Sequence, residues 1–405
     1  MLLRRLICST AAAALFAGCA TTGTTPRVVG ERPQALDTTE ASFWYQMDQM
    51  EADLRASGRL VEDPALTAYV SELICEIASE HCSAVRVYIA DNPGFNAVMA
   101  PNGMMIVNTG LLLRVMSRDE LAFVLGHEMA HFLENHALQQ HQANRNANIT
   151  GAVLGSVLAI GVAASGGMPI GQGYSGSAGS IGYALAAGGA FGYSRSLESD
   201  ADQIGLGMIA DAGMDPSAAP RIWSNMLDEL EASEDDERAR RESRRGLYRT
   251  HPIIQRRIDD LNSAITDMAP AEPRSDGYNT AIAPHIKDWL DAHIAMRDTG
   301  SSLFLIDRRI EGGAHLGVLH AGRARVLAAR DEEGDAEAAL EAYQIASQYE
   351  DMPADAHRGM AELYRQAGRS ADAAEAYRHY LHLTPDARDR LLVERLIENL
   401  EGEVQ

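Results

Sequence analysis

VLGHEMAHFLENH, residues Val124 to His136, sets two histidines four positions apart around a glutamate, inside a run that is otherwise apolar. On a helix, residues i and i+4 share a face, so His127 and His131 can turn imidazole nitrogens toward one ion while Glu128 stands beside them. Zinc so held lowers the pKa of a water, and the adjacent carboxylate can take its proton during attack on a carbonyl. The competing reading is a surface helix that happens to carry histidines. The apolar neighbours weigh against it, because burying unpartnered imidazoles is costly. Ser117 and Glu120, in SRDE, form a capping box that starts this helix, and the pattern predicts that it runs on past His136.

A catalytic zinc needs a third protein ligand and one open position. His136 is nearest, but it falls one residue short of the last histidine in HExxHxxGxxH, and that place is Ala137. A second predicted helix, SRSLESDADQIGLGMIADAG, offers Glu198 and Asp202, again i and i+4. Glu198 can ligate while Asp202 accepts a hydrogen bond from a ligand histidine and fixes its tautomer. Alone, such an acidic pair reads as a solvated helix face; beside HExxH the balance reverses.

Outward from these helices, Thr39 to Ser79 has helical period with breaks near Gly58 and Pro64. SAVRVYIADNPGFNAVMAPNGMMIVNTGLL is β-branched and apolar, punctuated by NPG and PNG, and predicts two or three strands. Residues 149–192 are glycine, alanine, serine and aliphatics. Three readings compete for them: a loop over a cleft, a helical hairpin packed as a lid or in the core, and a membrane-touching segment. A helix is expected from Pro216 to about Glu234, and THPIIQRRIDDL places Pro252 at a first helical position. The segment 269–283 reads as a linker.

Beyond it, Gly334, Ala339 and Tyr343 recur 34 residues later as Gly368, Ala373 and Tyr377, with Pro385 closing the second copy. That period looks like tetratricopeptide repeats over 284–405, with Gly300 marking a degenerate third copy. A plain helical bundle is the alternative. Such repeats leave a concave surface for a partner peptide.

The chain has 405 residues, enough for two domains, and a net charge of −22, which removes any basic footprint for nucleic acid. Residues 1–18 have the layout of a secretory signal, with Arg4 and Arg5 ahead of an apolar run. LFAGC resembles a bacterial lipobox with Cys19 as the lipidated residue, followed by a tether over 19–38; ordinary cleavage nearby is the alternative. After export, Cys75 and Cys82 can pair as a disulfide or stay as two thiols.

GHEMAHFLENH, SRSLESDADQIGLGMIADAGMDP and THPIIQRRI, in this order, resemble the zinc metallopeptidase family that includes the CAAX prenyl protease, HtpX and the periplasmic BepA-type enzymes. FNAVMAPNGMMIVNTGLL is similar to that family's edge strand, and the resemblance covers about Thr39 to Met268. It implies an α+β zincin-like metallopeptidase domain over 39–268, mostly helical with a small sheet, ahead of the all-α repeats. It implies one Zn2+ per chain on His127, His131 and Glu198, with Glu128 as general base and Asp202 behind the ligands. His251 of the THP motif would stabilise an oxyanion or cap the open position at rest, and Arg257 would order the site. Without the resemblance His251 is only a histidine before a helix-starting proline. An extended substrate would pair with the strand at Asn96, Ala97, Val98 and Met99.

The expected function is a zinc endopeptidase exported to the periplasm and lipid-anchored to the outer membrane. It would act on misfolded or stalled envelope proteins, with the repeats meeting substrate or the outer-membrane assembly machinery. The competing expectation is a chaperone-like assembly factor whose repeats do the work while peptidase activity is latched or minor.

Overall fold

The computed structural model describes residues 39–140, 193–233, 251, 255–268, 271 and 277–404. The leader 1–18, the tether with Cys19, the glycine-rich segment 149–192, Pro252 and residues 269, 270 and 272–276 lie outside the described residues. The described chain is mostly helical with one small sheet.

Strands β1 (Arg86–Ala90), β2 (Ala97–Met99) and β3 (Met104–Asn108) form a sheet in the order β1-β3-β2. β1 runs parallel to β3 and β2 antiparallel to it. Side chains alternate between the faces. Met105, Val107, Ile89, Ala97 and Met99 enter the main core, while Met104, Ile106, Val98 and Ala100 meet helix α1 (Thr39–Arg55) through Phe43, Met47, Met50 and Leu54. Covered on both faces, β3 can be apolar at every position. On the α1 side, Glu51 Oε1 accepts from Arg86 Nε at 2.6 Å and from Tyr88 Oη at 2.8 Å.

Helix α2 (Pro64–Ile77) starts at Asp63, whose carboxylate accepts from Ala65 N and Leu66 N, with Pro64 in the first turn. Cys75 near its end is disulfide-bonded to Cys82. After the short helix α3 (Thr109–Arg114), α4 (Arg118–Leu133) crosses the centre of the molecule, buried along nearly its whole length. Ser117 Oγ accepts from Glu120 N at 3.2 Å, but the Glu120 carboxylate takes Met116 N at 2.7 Å, one residue earlier than a capping box requires.

The expectation that α4 continues past His136 is wrong. The helix stops at Leu133, Asn135 turns to φ 53°, and helical backbone resumes at His136. Asparagine is among the few residues that tolerate this left-handed conformation. The break has a consequence: on a continuous helix His136 would stand about 140° around the axis from His131, whereas here it folds back against it.

Helix α5 (Arg195–Asp211) lies across α4 and closes before Gly213, whose φ is 68°. The crossing is tight: a Cβ on Gly205 would fall 2.8 Å from His127 N, so only glycine permits this approach. Helices α6 (Ala218–Ala232) and α7 (Gln255–Ile265) complete this half.

The expected linker 269–283 is in part a helix, because Tyr278 and Ile282 are buried in the core, and the helices from there onward do not stand apart. α8 (Tyr278–Ile282), α9 (Ile286–Ile294), α10 (Thr299–Glu311) and α11 (Leu316–Arg330) put Tyr278, Trp289, Leu290, Ile306 and Leu319 into the apolar cluster that holds Leu66 and Phe123. Polar ties reinforce it. Arg309 Nη1 donates to Leu113 O at 2.8 Å, Arg114 Nη2 donates to Glu229 Oε1 at 2.8 Å, and Ser301 Oγ donates to the same oxygen at 2.8 Å. Further along, α12 (Asp335–Ala346), α13 (Ala354–Gln366), α14 (Ser370–Leu383) and α15 (Arg390–Val404) have smaller clusters of their own. The repeat is visible in the backbone. Gly334 and Gly368 take φ 88° and 70° just before α12 and α14, and Ala339, Ala373, Tyr343 and Tyr377 are buried. Gly300, by contrast, lies inside α10. Among the described residues no helix is long and apolar enough to cross a membrane.

Candidate metal centre

α4 delivers His127, Glu128 and His131, and α5 delivers Glu198 and Asp202. His251 meets them from the segment ahead of α7. His127, His131, Glu198 and His251 are all buried and offer ligand atoms within 4.8 Å of one another. His127 Nε2 lies 3.1 Å from His131 Nε2 and 3.1 Å from His251 Nδ1. Glu198 Oε1 is 3.0 Å from His251 Nδ1 and 3.5 Å from His131 Nε2, and Glu198 Oε2 is 3.5 Å from His127 Nε2.

This donor set fits zinc. Atoms around a tetrahedral ion bound at ~2.0–2.1 Å stand roughly 3.3 Å apart, close to the spacings here. Asp202 Oδ1 stands 3.1 Å from His127 Nδ1, with Nε2 of that ring toward the cluster. Three imidazole nitrogens and a carboxylate turned on one point can give their lone pairs to a single cation.

Behind His127, Asp202 accepts three hydrogen bonds. Arg257 donates to it twice at 2.6 Å, and Trp223 Nε1 donates to Oδ1 at 3.1 Å. Arg257 Nη1 also lies 2.7 Å from Glu198 Oε2. Charge and burial together tune each group. Burial opposes charge on His127, yet Asp202 and Glu198 override it and raise its pKa to about 9. Burial also pushes Asp202 up, but Arg257 holds it below the usual carboxylate range. Glu198 is well below that range because His251, His127 and His131 outweigh its burial. For His131 burial wins, and its pKa lies well below the ordinary value.

Glu128 is buried and its carboxyl is raised, chiefly by that burial, against the pull of His251 and His127. A carboxylate raised in this way is a stronger base. Glu128 Oε2 accepts from Met99 N at 3.1 Å, and Glu128 Oε1 is 3.3 Å from His251 Nε2. The antiparallel register turns the Met99 amide away from β3, so β2 at the sheet edge is tied directly to this carboxylate. Asn96, Ala97, Val98 and Met99 are all at most 3% exposed. α1 and α4 cover their side chains, so any pairing must use the backbone edge.

The sequence reading missed three participants. Trp223 holds Asp202, Tyr193 stacks on His131 with centroids 3.8 Å apart and planes at 11°, and Gly205 lets α5 reach α4. His136, set aside as a ligand, lies behind His131 with the two Nδ1 atoms 2.9 Å apart.

The model of Peptidase family M48 matches residues 61–265, half of the chain. A beta-barrel assembly-enhancing protease of Escherichia coli O157:H7 is 27% identical over 55% of this chain and 44% of its own length. The protease of the same name from Yersinia pestis is 29% identical over 54% of this chain and 42% of its own. Mitochondrial metalloendopeptidase OMA1 of Bos taurus is 33% identical over 48% of this chain and 36% of its own. The chain thus spans less than half the length of these curated relatives.

Proposed function

Given that this chain belongs to Peptidase family M48, we propose that it is a zinc endopeptidase acting on polypeptides. The observation that carries the proposal is the convergence of His127, His131, Glu198 and His251 within 4.8 Å, with the Glu128 carboxylate alongside. His127, His131 and Glu198 would hold the zinc. When bound, the ion supplies Lewis acidity that polarises a peptide carbonyl and makes water acidic. Glu128 takes the proton from the attacking water and can pass it to the leaving amine, the role its raised carboxyl suits. Asp202 and Arg257 keep His127 oriented. The Met99 amide holds Glu128 next to the strand edge, where an extended substrate would align by backbone pairing.

His251 stands inside the ligand cluster, and we read this as a capped resting site that opens when substrate displaces the imidazole. The remaining parts of the proposal follow from the N-terminus, the repeat and the relatives' names. Residues 1–18 export the chain, Cys19 carries a lipid that anchors it at the outer membrane, and the 34-residue repeats are tetratricopeptide repeats. The substrates are misfolded or stalled envelope proteins, including outer-membrane barrels, and the repeats contact their assembly machinery.

The position of His251 also favours a second reading, an assembly factor whose peptidase site stays latched. Replacing the chromosomal copy by Glu128→Gln separates the two. The peptidase reading expects stalled outer-membrane proteins to accumulate as in a deletion; the assembly reading expects the variant to behave as wild type.

A further inference from the structure

His136 sits one residue too early for the third-ligand pattern, yet it is only 3% exposed and lies directly behind a ligand histidine. Its Nδ1 is 2.9 Å from Nδ1 of His131, on the side of that ring opposite the cluster, and the two rings cross at 72°. The contact exists only because the chain breaks at Glu134 and Asn135, with Asn135 at φ 53°. A left-handed asparagine is a device for redirecting a chain, and here it swings His136 back onto His131. Tyr193 completes the clamp by stacking on the face of the His131 ring at 3.8 Å.

The proton bookkeeping between the two rings has one solution compatible with ligation. Two imidazole nitrogens at 2.9 Å need one donor and one acceptor. A neutral imidazole that gives its Nε2 lone pair to a metal carries its proton on Nδ1. The His131 Nδ1–H therefore donates to His136 Nδ1, and the His136 proton resides on Nε2.

We propose that His136 is a positioning residue that fixes the tautomer and orientation of His131 for zinc, as Asp202 does for His127; this rests on the zinc-peptidase reading above. The two ligand histidines are thus held by different chemistry. His127 has a carboxylate in an ion pair with Arg257, whereas His131 has an uncharged acceptor. The choice makes electrostatic sense. Glu128, Glu198 and Asp202 already place three carboxyl groups in the buried site against the one guanidinium of Arg257. A fourth carboxylate behind His131 would add uncompensated negative charge in a dry environment.

The test is zinc affinity of the metal-free full chain, read by competition with a chromophoric chelator, so no activity is needed. His136→Phe keeps an aromatic ring against Tyr193 but removes the acceptor. His136→Asn removes the ring but sets an amide oxygen near the position of Nδ1. A positioning role predicts that His136→Phe weakens zinc about 10–100-fold, while His136→Asn stays within roughly threefold of wild type. A packing role predicts the reverse order. Wild-type affinity in His136→Phe, or equal losses in both variants, would overturn the proposal; a wild-type chain that binds no zinc would overturn the peptidase reading along with it. Should either variant fail to fold, nitrogen-15 histidine NMR of the unmutated zinc-loaded chain decides. The proposal expects an exchange-protected His131 Nδ1–H coupled across the hydrogen bond to His136 Nδ1, and absence of that coupled signal overturns it.

Discussion

Gly205→Ala tests whether the α4–α5 crossing builds the metal centre. The added Cβ would stand 2.8 Å from His127 N, 3.1 Å from Gly126 C and 3.2 Å from His127 Cα. All three are backbone atoms, so none can rotate out of the way. Tolerable contact begins near 3.4 Å, which leaves a deficit of 3.4 − 2.8 = 0.6 Å to be met by moving α5 off α4. Functional constellations tolerate displacements of only about 0.5 Å, and α5 carries both Glu198 and Asp202. Overpacking of this kind costs about 1–3 kcal/mol, or roughly 2–12 °C in Tm for a domain of this size. Zinc affinity should fall at least about tenfold. Gly207 supplies the control on the same helix, because nothing lies within 4 Å of a Cβ there. Gly207→Ala should therefore stabilise by about 0.5–1 kcal/mol through helix propensity alone and leave zinc binding unchanged. Differential scanning calorimetry and chelator competition on both variants suffice. If Gly205→Ala matches Gly207→Ala in Tm and affinity, the crossing does not set the site.

Other perturbations follow from the same geometry. Arg257→Leu strips the counter-charge from buried Asp202 and Glu198 and should cost about 3–5 kcal/mol, seen as a large drop in Tm; a melt within 2 °C of wild type, on the order of 1 kcal/mol or less, would exclude it. A chain ended after Met268 loses Tyr278, Trp289, Leu290 and Ile306 from the core that contains α4, so it should lack a cooperative melt, and a sharp transition would show that the first half folds alone. Joint Cys75→Ser and Cys82→Ser replacement opens a short loop, with an expected loss of about 2–3 kcal/mol in chemical denaturation; an unshifted midpoint would show that the bond constrains nothing. Saturating zinc at 100 times its Kd should raise stability by about 2.7 kcal/mol over the metal-free chain, and an unchanged melt would argue against a built site.

Much of the centre was legible because helical spacing is a local property. The i, i+4 pairs His127/His131 and Glu198/Asp202 each place two groups on one helix face, and the structure brings both faces together. What spacing cannot carry is contact between elements distant in sequence. Trp223 is one tryptophan on an amphipathic helix until α6 is laid against α4 and its indole reaches Asp202, and Gly205 is an unremarked glycine until α4 crosses it. His136 was hidden for a different reason. A continuous helix points it away from His131, and a single left-handed asparagine decides otherwise. Residues 269–277 are rich in proline and charge, which reports a solvated connection and says nothing about whether the next helices share a core. Tyr278 and Trp289 do share it. The edge strand at β2 was implied by resemblance alone, and nothing local in its sequence says that α1 and α4 bury its side chains from either side.

The most direct measurement is hydrolysis of unfolded casein by the zinc-loaded chain beside its Glu128→Gln variant, with zinc content measured in both. The account predicts equal zinc in the two proteins, cleavage by the unaltered chain, and at least about a hundredfold less by the variant. Equal cleavage by both would contradict the assignment of Glu128 as the base and with it the claim that this centre performs peptide hydrolysis.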